Sequence, residues 1–380
     1  MDKEIKVKLV SAIVAFILVA IAMPISTAGE SSGVWSWSNP IYIEIGDEGI
    51  EIDSPYNGTY ENRHKVQLHA HTTDSDGSFR PSELMRFHEN EDYLALSITD
   101  HDCEKYEASL EDPGGHDIIH IPGVEYTTGY HMLGIGIDSI AFDGEDRRQE
   151  QIDRAYEEDG LTFWAHPQTV EPIPYSTYEN YDNWDGIEIF TSNAYSLAED
   201  HADYILTETD HKPLLIASSD THQRVQEGGW IELVSEKSED EMNYADVLDG
   251  LKKGEFFAVG GWPRVHTSPA EMDIEVENET IHVRTDKEAD IQFITNQKNH
   301  YLEGEDHVSV ERDTTSASYT VDENDTYVRV KATVQQSFSN ILFMSMPILI
   351  LVPTVFMMLV PKRIENKIFV LSRRLEKIKR

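Results

Sequence analysis

Cysteine and positive charge are both scarce in this chain of 380 residues. The single cysteine, Cys103, excludes an intrachain disulfide, so this is not a fold held together by disulfides. Lys and Arg number 31 against 70 Asp and Glu, and the formal net charge is −39 at pH 7. Such a surface repels polyanions, which disfavours nucleic-acid binding through a basic face. Dense carboxylates suit a salty exterior, and the composition alone favours a halophilic archaeon as the source.

Two long apolar runs lie near the ends of the chain. The first, 9–25, follows three lysines and precedes small residues, which predicts a signal peptide or signal anchor over 1–28. The second, 341–360, carries no charge and is long enough to cross a bilayer, which predicts a transmembrane helix over 339–361. The basic tail 362–380 is then expected in the cytoplasm, with the preceding domain outside the cell membrane. A buried helix is the alternative at each end.

The most informative stretch is LHAHTTDSDG, residues 68–77. If residues 65–71 form a strand, as the alternation of VQLH allows, His69 and His71 point to one face and both reach one metal ion. Asp76 would follow on the loop that leaves the strand. Taken alone, an HxH pair is more often two surface histidines than a metal site.

Four further apolar, strand-like runs also end in residues that bind metals. Their ends carry Asp100-His101-Asp102, then Glu125 with His131 opening the next run, then His166, then Asp220 with His222. Such residues at the carboxyl ends of successive strands, with helical segments between them, are typical of a β/α barrel with its active site on one rim. The pattern therefore predicts an α/β fold with a metal centre at that rim.

In combination, the segments HAHTTDSDG, ITDHD, IPGVEYTT, HMLGIG, AHP and SSDTH resemble the polymerase-and-histidinol-phosphatase (PHP) family of metal-dependent phosphoesterases. The resemblance covers roughly residues 65–260. It departs at Gln67, where the family often has an acidic residue that is not a ligand. The resemblance implies a distorted seven-stranded β/α barrel, expected here over residues 62–261, with two or three divalent metal ions.

The family pattern, carried over position by position, implies three groups of metal ligands. They are His69, His71, Glu125 and Asp220 for one ion, Glu125 as a bridge with His131 and His166 for a second, and Asp76, His101 and His222 for a third. Ligands that supply only nitrogen and carboxylate oxygen suit Mn²⁺, Zn²⁺ or Fe²⁺. Such a cluster lowers the pKa of a bound water, so hydroxide is available near neutral pH for attack on a phosphate ester.

Other residues near these motifs are candidates for supporting roles. Asp220 and His101 are the candidates for moving protons in catalysis. Arg224, four residues after Asp220, is the candidate for contacting a substrate phosphate, with a solvated loop arginine as the alternative. Glu188 lies in the run GIEIF near the rim, and is expected to support a ligand or contact the substrate rather than bind metal itself.

The rest of the chain predicts a second domain. Residues 244–253 read as an amphipathic helix ending at Gly254, and short alternating strands then predict a small immunoglobulin-like β-sandwich over 270–336. The segment WSNPIYI resembles the final strand of such modules in similar proteins, yet here it lies near the N-terminus. We therefore expect a strand over 34–46 to cross over and complete the sandwich; the alternative is a strand capping the barrel floor.

The sequence thus predicts a membrane-anchored, outward-facing, metal-dependent phosphoesterase acting on small phosphate esters or nucleotides. An extracellular nuclease is one alternative, disfavoured by the acidic composition and the few candidate groove residues, Arg147, Arg148 and Arg224. A non-catalytic surface module stabilised by metal is another, disfavoured because every motif is intact. The same chemistry can also attack carbonyl centres.

Overall fold

The computed structural model describes most of the chain between residues 33 and 335. The described ranges are 33–46, 49–102, 110–140, 147–169, 172–194, 196–223, 228–261, 268–302 and 309–335. The predicted signal segment, transmembrane helix and basic tail lie outside these ranges, as do Cys103 and Arg224. Within them, no helix is both long enough and apolar enough to span a bilayer.

The described residues form a mixed α/β fold in which strands predominate. The strands are β1 (Gly33–Ser38), β2 (Ile41–Gly46), β3 (Gly49–Asp53), β4 (Asn62–Gln67), β5 (Tyr93–Ile98), β6 (Ile119–Tyr126), β7 (Met132–Ile135), β8 (Leu161–Trp164), β9 (Gly186–Thr191), β10 (Ser196–Leu197), β11 (Leu214–Ser218), β12 (Gly229–Ser235), β13 (Phe256–Gly261), β14 (Met272–Glu277), β15 (Thr280–Thr295), β16 (Ser309–Thr320) and β17 (Tyr327–Gln335). The α-helices are α1 (Pro81–Glu89), α2 (Arg148–Glu157), α3 (Glu199–Glu208) and α4 (Tyr244–Lys253). Two short 3₁₀ helices cover Tyr175–Asn180 and Glu239–Glu241.

Seven strands form a barrel in the pairing order β4, β5, β6, β7, β8, β9, β11. Six of them are parallel, and β7 runs antiparallel to both of its neighbours. The barrel closes just beyond the ends of β4 and β11, where Ala70 pairs with Thr221 and the His71 N–H donates to the Thr221 carbonyl at 2.9 Å. Regular strand β4 thus ends at Gln67, but residues 69–71 keep strand pairing. The carboxyl ends of six strands and the start of β7 therefore meet at one rim.

The helices between the strands cover the outside of the barrel with apolar side chains. In α1, Leu84 and Met85 are buried against Leu96 and Ile98 of β5. Helix α4 begins at Asn243, whose side chain accepts hydrogen bonds from the N–H groups of Ala245 and Asp246, and ends at Gly254. Gly254 has φ +72°, a left-handed conformation that glycine adopts at little cost. This helix matches its predicted bounds.

The strands of the C-terminal part enclose a second apolar core. Strand β15 is sixteen residues long, and its register shifts between Arg284 and Ala289. Its first half pairs with β14 and its second half with β17, while β16 follows both halves. Buried side chains from β2, β14, β15, β16 and β17 share this core, among them Ile41, Ile43, Ile274, Val283, Ile291, Phe293, Ala317 and Val330.

The N-terminal segment joins both parts of the fold. Strand β1 lies between β13 and β17, antiparallel to both, and β2 continues beside β17 through pairing of Tyr42 with Tyr327. Trp37 of β1 is fully buried and packs on Phe190 of barrel strand β9. The Asn39 side chain donates to the Gly254 carbonyl and accepts from the Leu215 N–H at the start of β11. The segment thus pairs with strands of the C-terminal sheet and also contacts the floor of the barrel.

A buried ion network also links β17 to helix α3. Arg329 is fully buried, and its Nε and Nη2 donate to the two carboxylate oxygens of Asp203 at 2.7 and 2.9 Å. Its Nη1 donates to Glu199 at 3.2 Å, and Lys331 also donates to Glu199. His300 Nδ1 lies 2.9 Å from Asp203. Although burial favours the neutral acid, the surrounding His300, Lys331 and Arg329 hold the pKa of Glu199 well below its ordinary value.

Candidate metal centre

All nine predicted ligand side chains come together at the rim of the barrel. They form three groups, and within each group the ligand atoms lie within 4.8 Å of one another. The groups are His69, His71, Glu125 and Asp220; Glu125, His131 and His166; and His71, Asp76, His101 and His222. Glu125 belongs to two groups and so does His71. The structure therefore brings the nine side chains together, and His71 belongs to two of the groups.

The position of each ligand follows from the course of the barrel strands. Five of the six parallel strands deliver their ligands at or just beyond their carboxyl ends. The antiparallel strand β7 delivers its ligand, His131, just before its first residue, because its start lies at the same rim. His166 and Asp220 have φ +27° and +51°, a region that non-glycine residues rarely adopt. The chain holds these two ligands in a strained backbone conformation, a frequent feature of functional sites.

Glu125 is the central residue of the site. It is buried, and its two carboxylate oxygens face different groups of ligands. Oε1 lies 2.8 Å from His131 Nδ1 and 2.9 Å from His166 Nε2. Oε2 lies 3.2 Å from the Nε2 atoms of both His69 and His71, and 3.1 Å from His101 Nδ1. Glu125 would therefore contribute to holding metal ions in both groups of ligands.

The donor atoms of the first group converge in a way that hydrogen bonds do not explain. The Nε2 atoms of His69 and His71 face each other at 3.1 Å, and Asp220 Oδ1 lies 3.3 and 3.0 Å from them. Asp220 Oδ1 and His71 Nδ1 are buried and have no hydrogen-bond partner of acceptable geometry among the described residues. A buried polar atom without a partner is costly, and a cation supplies one. This donor set fits a divalent metal ion.

The charges of the site also suit metal binding. Burial favours the neutral acid, but His69 and the neighbouring histidines hold the pKa of Glu125 well below its ordinary value. Asp220 is affected in the same way by His69 and His71, so both carboxylates are ionised near neutral pH. Burial lowers the pKa of His71, yet Asp220 and Glu125 outweigh it and raise the pKa to about 9. A metal ion must displace this proton, so metal affinity should rise with pH.

Glu188 supports the ligands from beneath the site. It is fully buried, and all of its hydrogen bonds go to residues around the ligands. Oε1 lies 2.9 Å from His69 Nδ1 and accepts from Ser218 Oγ at 2.5 Å. Oε2 accepts from the His166 N–H at 2.7 Å and from Thr191 Oγ1 at 2.8 Å. A carboxylate at Nδ1 fixes the ring so that Nε2 of His69 faces the metal position.

Replacing Glu188 by Gln is expected to weaken metal binding about 10–100-fold, because His69 loses the carboxylate that orients it. The amide keeps the size of the side chain but presents an NH₂ group to at least one of four donors. Competition between the protein and a chromogenic chelator measures the affinity. Glu157→Gln, on the exposed face of α2, is the matched control and should leave it unchanged. An unchanged affinity in Glu188→Gln would show that His69 does not depend on this carboxylate.

Two polar residues outside the nine predicted ligands also shape the site. Asp100 accepts from Thr72 N at 2.7 Å and from Ser75 Oγ at 2.5 Å, and so shapes the loop that carries Asp76. Gln67 accepts from the N–H groups of His69 and Ser219 and donates to the Gly229 carbonyl. These bonds tie the end of β4 to the segment that carries Asp220. A buried acid beside His101 in ITDHD was the available signal for Asp100.

A cavity of ≈ 600 Å³ opens beside the ligands. Among the described residues that line it there is no Lys or Arg. Arg148, one of the groove candidates, is buried and donates instead to the carbonyls of Thr128 and Tyr130. Arg147 pairs with Glu150 on the surface of the protein. The described part of the rim therefore has no basic groove of the kind that a nuclease uses.

Comparison with known proteins gives similarity at the level of structure alone. No family model matches the chain, and no curated protein matches it. A two-domain protein from Bacteroides vulgatus, which contains a predicted PHP-like metal-dependent phosphoesterase, is similar at 15% identity and a TM-score of 0.43, covering 79% of this chain and 92% of its own. A protein from Bifidobacterium adolescentis, assigned by prediction as a metal-dependent phosphoesterase, is similar at 14% identity and a TM-score of 0.37, covering 50% of this chain and 96% of its own. An amidohydrolase from Chromobacterium violaceum, with bound sulfate and no metal, is similar at 17% identity and a TM-score of 0.31, covering 41% of this chain and 87% of its own.

Proposed function

We propose that this protein is a metal-dependent phosphoesterase that hydrolyses small phosphate esters. The observation that carries the proposal is the convergence of nine nitrogen and carboxylate ligands in three groups that share Glu125 and His71. Three of the nine are carboxylates, so two or three divalent ions would leave the centre positively charged and suited to a phosphate dianion. Such ions, when bound, polarise a phosphoryl oxygen and lower the pKa of a bound water.

The protein's own side chains would hold this centre and transfer protons during the reaction. Asp220 is ionised and nearly buried, so it can orient or accept a proton but cannot supply one near neutral pH. His101 is more accessible, at 23% side-chain exposure, and lies 3.4 Å from Asp76. We assign to His101 the transfer of a proton towards the leaving group, because it lines the cavity where the substrate would lie.

We further propose that the protein is anchored in the cell membrane with the barrel outside. The support is in the sequence, where the uncharged run of residues 341–360 precedes a tail rich in Lys and Arg. The acidic composition is consistent with an exterior location at high salt. Cysteine labelling tests this placement: a single cysteine engineered into the tail of a Cys103→Ser chain should react in intact cells only after the membrane is permeabilised.

The activity is tested with full-length protein in detergent and high salt, supplied with Mn²⁺ or Zn²⁺. Phosphomonoesters, cyclic phosphates and phosphodiesters form the panel. Hydrolysis should require metal, stop with a chelator and fall at least about 100-fold in His69→Ala and in Asp220→Ala. His282→Ala and Asp249→Ala, both away from the site, are the matched controls. A protein that binds metal yet cleaves none of these esters would exclude the phosphoesterase and favour a carbonyl hydrolase or a binding module.

A further inference from the structure

The residues that line the cavity beside the metal centre are of two kinds. One part consists of the ligands His101, Glu125, His131, His166, Asp220 and His222. The rest is mostly small or apolar and consists of Gly129, Tyr130, Ala165, Thr169, Ile173, Asn193 and Ala194. A phosphate held at the ligands would leave the remainder of the substrate against this second part. Its chemistry therefore determines which leaving groups the site accepts.

Apart from the Tyr130 hydroxyl, the polar side chains of this wall are already engaged with the ligands. Thr169 Oγ1 donates to the His166 carbonyl and lies 3.1 Å from His166 Nδ1. Asn193 Nδ2 lies 3.0 Å from His222 Nδ1 and 3.4 Å from Asp220 Oδ2. Both groups orient metal ligands, so neither is well placed to pair with substrate hydroxyls. A sugar or polyol seated on this wall would lose hydrogen bonds to water without replacing them.

The apolar part of the wall is held in a fixed position. Tyr130 lies in the turn between β6 and β7, immediately before His131, and packs against the buried core that includes Trp164 and Ile173. Buried Arg148 donates to the carbonyls of Tyr130 and Thr128, which fixes the backbone of this turn. Ile173 is 4% exposed and still lines the cavity, so its accessible atoms face the substrate space. The ring and the branched side chain form a rigid apolar surface next to the metal ligands.

We infer that the site prefers phosphate monoesters whose leaving group is apolar and planar, seated on Tyr130 and Ile173. This inference rests on the proposed phosphoesterase activity and names its substrate class. An aromatic ring gains by leaving water for this surface and by stacking on Tyr130. A polyol gains nothing comparable and loses its hydration. Discrimination of this kind, between a group that fits an apolar pocket and one that does not, is worth roughly 10–200-fold in kcat/KM.

The test compares substrates whose leaving groups are all primary alcohols, so that the chemical step stays similar. Wild-type protein should hydrolyse 2-phenylethyl phosphate with a kcat/KM at least about tenfold above those of ethyl phosphate and glycerol 3-phosphate. Equal values for the three esters would overturn the inference and leave the phosphoesterase intact. Absence of hydrolysis of any ester by metal-loaded protein would instead overturn the proposed function, and the inference with it.

Variants then assign the preference to the wall. Tyr130→Ala should bring the phenylethyl-to-glycerol ratio close to one, whereas Tyr130→Phe, which keeps the ring, should retain it. Tyr156→Ala removes an exposed tyrosine from α2 and is the matched control. Metal content of each variant, measured in parallel, shows whether the centre next to Tyr130 is intact. A ratio that survives in metal-loaded Tyr130→Ala would overturn the role of this ring.

Discussion

Replacing Glu125 by Gln is expected to impair two metal positions with one substitution and to lower kcat/KM by more than about 100-fold, the upper limit for residues that merely support ligands. The reason is that the two carboxylate oxygens face different ligands: Oε1 faces His131 and His166, and Oε2 faces His69 and His71. An amide of the same size keeps one oxygen ligand and loses the negative charge. The metal content after dialysis, determined by mass spectrometry, measures the effect independently of turnover.

Asp76→Asn is the matched comparison, because Asp76 belongs to one group only and is about half exposed. It should lose at most the ion of that group, and less metal than Glu125→Gln loses. An ion held by His69 and Asp220 should remain bound in Asp76→Asn. If the two variants lose equal amounts of metal, Glu125 does not bridge two ions and the description of the centre must change.

Replacing Arg329 by Met is expected to destabilise the protein by about 3–5 kcal/mol. Arg329 is fully buried and makes three hydrogen bonds to the carboxylates of Asp203 and Glu199. Met fills a similar volume, but it leaves Asp203 buried with only His300 beside it. A buried charge without its partner is strongly unfavourable. The free energy of unfolding is measured from urea denaturation curves.

An exposed ion pair within the C-terminal sheet and a double variant provide the controls for this prediction. Arg312 pairs with Asp290, but its side chain is 72% exposed. Arg312→Met should therefore lower the free energy of unfolding by less than about 1 kcal/mol. Adding Asp203→Leu to Arg329→Met removes the unpaired carboxylate and should recover part of the loss. A single variant as stable as wild type would mean that water or a rearranged Lys331 replaces the guanidinium, and that the network does not hold α3 to β17.

Local signals in the sequence pointed to the nine side chains that converge at the rim. Except for Asp76, which follows on a loop, these residues stand at or next to one end of a short apolar run. The rim of a β/α barrel collects such ends whatever the details of the helices. Helix α4 was predictable for the same reason, since Asn243 and Gly254 mark its ends. The roles of these ligands, and the number and identity of the ions, stay predictions.

Contacts between distant parts of the chain could not be predicted in this way. Nothing near Arg329 indicates that its partner is Asp203, 126 residues earlier, because the pairing depends on how β17 docks on α3. Strand β7 has only four residues, too few to reveal that it runs antiparallel. The role of Glu188 was left open between two interpretations, and its bonds to His69 and His166 now favour support of the ligands.

The position of β1 between β13 and β17 has a consequence for the way the protein is made. Its register pairs Gly33 with Gln335. The pairing of β1 with β17 therefore cannot form until about 300 further residues have been synthesised, by the numbering of Gly33 and Gln335. Contacts of such long separation slow folding. Until β17 is made, β1 can pair with β13 alone, and its other edge stays open to other chains. The C-terminal sheet therefore cannot be completed before residue 335 is made, and a nascent chain interrupted near residue 261 would expose the open edge of β1 and be prone to aggregate.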